Sequence, residues 1–362
     1  KLVAEAFKEL GFYYRNEGLW RQADDAYRKA HDAIYGTYSS RSSDIDREEL
    51  ASIRTNWAYV KGLRGDCREG QDLVEGAIGT RRRLGNQAGE GNAWSVHGEL
   101  CRFDSQYERA WESYLRAEEL FQRLRSWGWL GQVYQQQAIC LLQAMQQKGA
   151  NLVGDKDPFQ EAEERVVLAL DLCRNHAPRW YPAALNRAGR IFGRRDVDAG
   201  LNYLAAGIRR AHELSDGWFW FANLVEYAEM SYRAWLATGQ EEYRRQVTMH
   251  GSQIPTVMSE YTFPHLAGRW YLLQGHLAVS QALADGDLSQ LSGALDHYRE
   301  GFTCIAAGYE ASHGHTAIPR EFDRFKDLFF KLPAAIQEGW EIDLRESWRG
   351  SPLLLARLEG LY

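Results

Sequence analysis

The sequence has no CxxC pair, and its five cysteines, Cys67, Cys101, Cys140, Cys173 and Cys304, stand far apart. The odd count and wide spacing give no disulfide framework and read as reduced thiols of a cytoplasmic protein. Proline is scarce, at 8 residues in 362, which favours helix. Positive charge is not in excess: 43 Lys and Arg against 49 Asp and Glu leave a net −6. A broad cationic field is therefore missing, and nucleic acid is not an expected partner. The apolar runs are short, and that from Trp218 to Val225 carries Asn223 inside it. None approaches the roughly 20 residues that span a bilayer, so no membrane is expected as partner. There is no leader-peptide pattern. The chain begins at Lys1, not Met, and reads as a fragment or processed product with further domains on its N-terminal side.

Catalytic signatures are also lacking. No HExxH or GxSxG is present. Gly149, Gly154 and Lys156 have part of a phosphate-loop spacing, but no Gly-Lys-Ser/Thr follows and no strand precedes. His313 and His315 are two chelating side chains without a third nearby. The expectation is a non-enzyme without catalytic residues, cofactor or metal.

What the chain does have is 13 Trp and 19 Tyr, which need large shared seams. It also has a repeat. Phe7, Leu10, Gly11 and Tyr14 share one helical face, Gly18 breaks the helix, and Ala23, Tyr27 and Ala30 share the face of a second. Small residues let two helices approach, and large ones fill the gaps. The pattern recurs with drift. The second hairpin carries Trp57, Ala58, Gly65, Gly70, Val74 and Ala77; the third carries Trp94, Gly98, Tyr107, Ala110, Tyr114 and Ala117. Tyr134, Ala138, Leu141, Ala162, Val166 and Ala169 mark the fourth, which holds an insert at 151–157. The fifth has Leu185, Gly189, Phe192, Gly200, Leu204 and Gly207. Leu224, Tyr227, Ala228, Tyr243 and Val247 make a weak sixth. Tyr271, Gly275, Ala278, Ala294, Tyr298 and Gly301 make the seventh.

This pattern resembles the tetratricopeptide repeat, a hairpin of 34 residues with large-Leu-Gly-Tyr on its first helix and Ala-aromatic-Ala on its second. The resemblance implies an all-α, right-handed superhelical solenoid of about seven repeats over 1–308, near 4–36, 51–84, 91–125, 131–176, 181–214, 221–253 and 268–308. Residues 309–362 then read as C-terminal helices that cap the array or dock a partner, with Phe322, Phe325, Leu328, Phe329 and Leu332 facing inward. Asp46 with Glu49 reads as a capping-box start, and Asp157 with Pro158 and Gln160 as a second helix start. Gly36–Asp46 and Tyr309–Ile318 read as loops.

In that family the first helix of each hairpin lines a concave groove. Carried over by position, the groove residues are Lys8, Phe12, Arg15 and Asn16, then Thr55 and Tyr59, then Asn92, Glu99 and Arg102. Gln135, Ile139 and Gln143 follow, then Asn186, Arg190 and Arg194. Glu229, Tyr232 and Arg233, and finally Arg269, Leu272 and His276, complete the set. Asn pairs with a peptide's main-chain amides and Arg with its carboxylates, which suits an extended or acidic protein or peptide ligand. The chaperone-binding subgroup clamps a terminal carboxylate with Lys and Asn four residues apart; Lys8 matches, but Phe12 stands where the Asn belongs. Arg81 to Arg83 read as helix-end charges that suit the dipole. Trp218 to Phe221 place four aromatics around a helix start, for burial between hairpins or for a partner.

The expected role is a protein- or peptide-binding scaffold within a larger signalling protein. The array resembles the C-terminal sensor region of bacterial signal-transducing nucleotidases, which implies a switch ATPase or effector domain in the same full-length chain. The alternatives are a stand-alone peptide receptor of the bacterial quorum-sensing type, and an accessory subunit of an enzyme complex.

Overall fold

The structure is a computed structural model that describes residues 2–36, 43–261, 263–309, 317–349 and 351–359. Among these residues the chain is helical throughout, with no strand. It divides into two compact units, Lys1–Tyr261 and Thr262–Tyr362.

Unit 1 is a stack of helical hairpins. Helix α1 (Leu2–Asn16) pairs with α2 (Trp20–Tyr35), α3 (Asp44–Leu63) with α4 (Cys67–Arg83), and α5 (Gln87–Phe103) with α6 (Tyr107–Arg123). Helix α7 (Trp127–Lys148) pairs with α8 (Pro158–His176), α9 (Tyr181–Phe192) with α10 (Val197–Glu213), and α11 (Gly217–Thr238) with α12 (Glu241–Gly251). The short α13 (Ile254–Glu260) packs on α11 and α12. Each first helix also touches the next: α1 meets α3, α3 meets α5, and so on to α11. The first helices therefore make one continuous inner layer.

The repeat positions form the seam inside each hairpin. Ala23, Tyr27 and Ala30 are fully buried, as are Ala110, Tyr114 and Ala117. Gly11 makes room for the Tyr27 ring, which a Cβ there would meet at 3.0 Å. Gly18 turns the chain at φ +70°, a conformation glycine adopts without steric cost. Hydrogen bonds then tie hairpin to hairpin: Asp24 accepts from Trp57 Nε1 at 2.7 Å and pairs with Arg64.

Two helix starts differ in detail from the sequence expectation. Helix α3 begins one turn early, because Ser43 is the cap. Its hydroxyl accepts from the Asp46 amide at 3.2 Å, and Asp46 accepts in return from the Ser43 amide. Asp46 is thus the far half of the box rather than its cap. At α8, Asp157 does cap, accepting from the Phe159 amide with Pro158 in the first turn. Gln160 instead donates to Glu164 one turn on. The glycines of the insert have a structural use: Gly149 ends α7 at φ +60°, Gly154 turns the loop at φ +66°, and Asn151 ties that loop to the Gly154 and Lys156 carbonyls. Residues 37–42 of the first predicted loop and 310–316 of the last lie outside the described residues, and so do His313 and His315.

Unit 2 contains α14 (Pro264–Asp285) paired with α15 (Leu291–Tyr309), then α16 (Ala317–Phe329), α17 (Ala334–Ser347) and α18 (Pro352–Glu359). Phe322, Phe325, Leu328, Phe329 and Leu332 are all buried. They join Tyr298, Phe302, Trp340 and Trp348 in one aromatic core. Phe302 meets Phe325 and Trp348 edge-on at 5.7 and 5.5 Å, the arrangement that aromatic quadrupoles favour.

Candidate partner-binding groove

The inner layer of unit 1 carries a chain of charged and aromatic side chains. At α1, Arg15 donates to Asn56 at 3.0 Å and lies over Phe12 and, across the layer, over Tyr59 of α3. Phe12 is 46% exposed, and Asn16 accepts from Arg15. Lys8 is already committed to Glu49 at 2.8 Å. Arg102 of α5 grips Glu99 with two bonds, 3.0 and 2.7 Å, and donates a third to Gln143 of α7 at 2.7 Å. Tyr114 donates to the same carboxylate from behind at 2.6 Å. Burial pushes the Glu99 pKa up, but Arg102 and the Tyr114 hydroxyl more than offset it and hold it below the usual range. On α9, Arg190 is 3.8 Å from Glu226, and Arg194 donates to Gln146.

The centre of this chain is Arg187, which sequence reasoning passed over for Asn186, Arg190 and Arg194. Arg187 is partly exposed, yet burial is the largest influence on it, as it is on Tyr59, Glu99 and Arg102. Both observations fit side chains deep in a recess, reached by water from one side and walled by protein on the others. Burial first, then the charges of Arg190 and Arg102, pull the Arg187 guanidinium down to about 10. Glu99 and Glu226 act in the opposite direction without reaching it. No ion pair to Arg187 forms among the described residues, and its side-chain bond is a long 3.5 Å contact to Asn186. A signal was present in the sequence. Arg187 and Arg190 stand three apart, the spacing that puts Glu99 and Arg102 on one helix face.

Other groove candidates lie elsewhere. Gln135 turns into the interior, its amide 3.2 Å from Cys173 Sγ. Asn186 is 3% exposed and donates to Asn223. Thr55, Ile139 and Tyr232 are buried, and Arg233 is exposed and donates to the Glu229 carbonyl. Asn92 is partly exposed on α5. Arg269, Leu272 and His276 belong to unit 2, where Leu272 and His276 are buried. Arg81 is no surface charge: it is 4% exposed and bonds Glu48, Thr55 and the Gly89 carbonyl. Phe221 is fully buried, with Trp218, Phe219 and Trp220 partly so.

One cluster has the outline of hydrolytic chemistry. His97 Nδ1 is 2.8 Å from Ser113 Oγ, and its Nε2 is 3.5 Å from Glu75. Ser113 is only 2% exposed, however, and its hydroxyl donates to the Arg109 carbonyl at 2.7 Å. The proton is directed away from the histidine, and no substrate reaches the oxygen. Nearby Cys101 is pushed up to about 11 by burial, so its thiol stays protonated. Among the described residues, no three His, Cys, Asp or Glu side chains gather as metal ligands. No described helix is long and apolar enough to cross a membrane.

No protein-family model matches the chain, and no curated protein sequence matches it. Solved structures do. The apo form of RapI is similar over 84% of this chain and 98% of its own, at 13% identity and a TM-score of 0.52. A Rap protein complexed with competence and sporulation factor is similar over 99% of both chains, at 10% identity and a TM-score of 0.51. At such identity the likeness is one of fold, an all-α helical-repeat solenoid.

Proposed function

We propose that the chain is a binding protein whose unit 1 groove holds an acidic segment of a protein or peptide. The observation that carries this reading is Arg187. A desolvated charge without a counter-ion costs several kcal/mol, and folded proteins pair or neutralise such groups. Its neighbours are already used: Arg102 by Glu99, and Arg190 in part by Glu226. A ligand carboxylate supplies the missing anion, and the planar guanidinium fork matches it with two parallel bonds. Tyr59 and Phe12 add apolar surface farther along the groove, and Arg15 a second cation. This reading assigns the groove residues no catalytic step.

The sensor region of a larger signalling protein and a stand-alone peptide receptor both use such a groove. A peptide as ligand is favoured by one observation: the chain is similar over nearly the whole of two Rap chains, one of them complexed with competence and sporulation factor. The test is capture of partners by the full chain and by Arg187→Glu and Arg190→Glu, followed by calorimetry on the captured partner. The expected partner carries Asp or Glu in its contact segment and loses at least about tenfold in affinity, or 1.4 kcal/mol, for each reversal. Equal affinity for all three proteins would refute the groove assignment.

A further inference from the structure

A second feature of unit 1 lies at the turns rather than in the groove. The turn from α6 into α7 and the turn from α8 into α9 together enclose an open cavity of about 620 Å³. Its walls are Trp127, Trp129, Trp180 and His176, and its rim carries Arg125 and Arg179. The rings are braced from behind. Trp129 stacks on Phe121 at 5.9 Å and meets Trp180 edge-on at 4.9 Å, while Trp127 lies 6.4 Å from His176. Gly128 lets the two turns close together, since a Cβ there would stand 3.0 Å from that of Ala177. Yet Trp127 and Trp129 remain 38% and 37% exposed. Indoles held rigid with open faces lose little entropy when a partner covers them.

The rim is cationic. No acidic side chain lines the cavity, and among the described residues neither Arg125 nor Arg179 forms an ion pair. Arg179 lies over Trp180 at 4.9 Å. Arg125 also sits at a costly place. It adopts φ +51° at a helix-to-helix turn position that Gly18, Gly65 and Gly85 occupy elsewhere in the stack, and that Ser105 and Ser215 also occupy at φ +57° and +53°. A left-handed backbone costs a non-glycine residue about 1 kcal/mol, so this turn gives up stability while holding a cation at the cavity mouth.

We propose that this cavity is a second docking site, for an acidic linear segment of a partner protein that seats an aromatic side chain among the tryptophans. The segment's carboxylates then meet Arg125 and Arg179, in a chain whose overall charge is −6. Two guanidiniums suit a short acidic motif, whereas a nucleic-acid strand requires a longer positive track.

The test is selection of a random twelve-residue peptide display library on the immobilised full chain, repeated on Trp127→Ala and Arg179→Glu, both checked for fold by circular dichroism. The expected result is enrichment of peptides with an aromatic residue beside Asp or Glu, lost in both variants and retained by the groove variant Arg187→Glu. In anisotropy, such a peptide should weaken at least tenfold with Arg179→Glu. A class lost only with Arg187→Glu would leave the groove reading standing and overturn this one. So would absence of any class that depends on Trp127 and Arg179. Tighter binding of a labelled twenty-residue oligothymidine that needs the same two residues would overturn it in favour of nucleic acid. A wild-type dimer that Trp127→Ala dissociates would overturn it in favour of a second copy.

Discussion

In hairpin α5–α6 and in hairpin α14–α15, a tyrosine fills the gap beside a glycine, and the residue after the glycine meets its hydroxyl. In unit 1 that residue is Glu99, 2.6 Å from the Tyr114 hydroxyl; in unit 2 it is His276, 2.9 Å from that of Tyr298. The packing device is the same, and the surroundings differ. Glu99 faces the recess with Arg102 and, farther off, Arg187. His276 is 1% exposed, in the unit whose aromatic core gathers Phe302, Phe325 and Trp348. Unit 2 places an imidazole there within its aromatic core, whereas unit 1 places a carboxylate that is 7% exposed and paired with Arg102. Hairpin α1–α2 is a third version. Gly11 accommodates Tyr27, but Phe12 cannot accept, and the buried Tyr27 hydroxyl has no partner.

The largest effect that would test this comparison is in unit 1. Glu99→Ala strands Arg102 and the Tyr114 hydroxyl in the recess and should cost about 3–5 kcal/mol in urea unfolding. A loss under about 1 kcal/mol would mean that the recess is wetter than described. Acid should separate the units. Burial, with Arg269 adding to it, lowers His265 to about 3, and burial with Arg324 beside it takes His276 well down. The unfolded chain then binds protons that the folded unit does not. Stability is therefore full above about pH 6.5 and falls as pH drops toward 3. At pH 4 His265 alone should remove on the order of 3 kcal/mol. Burial lowers His31, His97 and His250 of unit 1 as well, but takes none as far down as His265 or His276. Glu99 is lowered, so its pairing is lost only as pH falls below about 4.5. Hydrogen exchange should show unit 2 amides losing protection first; the reverse order would break the comparison.

Gly98→Ala drives a methyl group into the Tyr114 ring and should cost about 1–3 kcal/mol by thermal unfolding. The smallest effect has the opposite sign. Phe12→Glu gives the Tyr27 hydroxyl an acceptor and Arg15 a partner at the spacing Glu99 and Arg102 use. It should gain up to about 1 kcal/mol. Destabilisation would show that the equivalence between the hairpins is only formal.

The fold was legible because its markers are seam residues, and the physics of a seam is local. Gly11 against Tyr27, or Ala110 and Ala117 beside Tyr114, follows from spacing alone. The inward face of Phe322, Phe325 and Phe329 was legible for the same reason. The site was less so. A groove position states which way a helix face points, not how deep the neighbouring hairpins make it. Gln135 and Asn186 satisfied the pattern and turned inward to Cys173 and Asn223. Arg187 lay off the chosen spacing, and its distinction, a cation without a counter-ion, appears only when α5 and α9 are brought together. The turns 125–129 and 176–180 are more than forty residues apart in sequence, so their shared cavity leaves no local signal.

The central claim is that Arg187 is unpaired in the free chain and held for a ligand. Thermal unfolding of the ligand-free chain beside Arg187→Leu tests it without knowledge of the partner. Removing an uncompensated desolvated charge should stabilise by about 1–2 kcal/mol, raising Tm by roughly 2–4 °C per kcal/mol in a unit of this size. A fall in Tm of that size would contradict the account, because it would show that the free chain already satisfies Arg187.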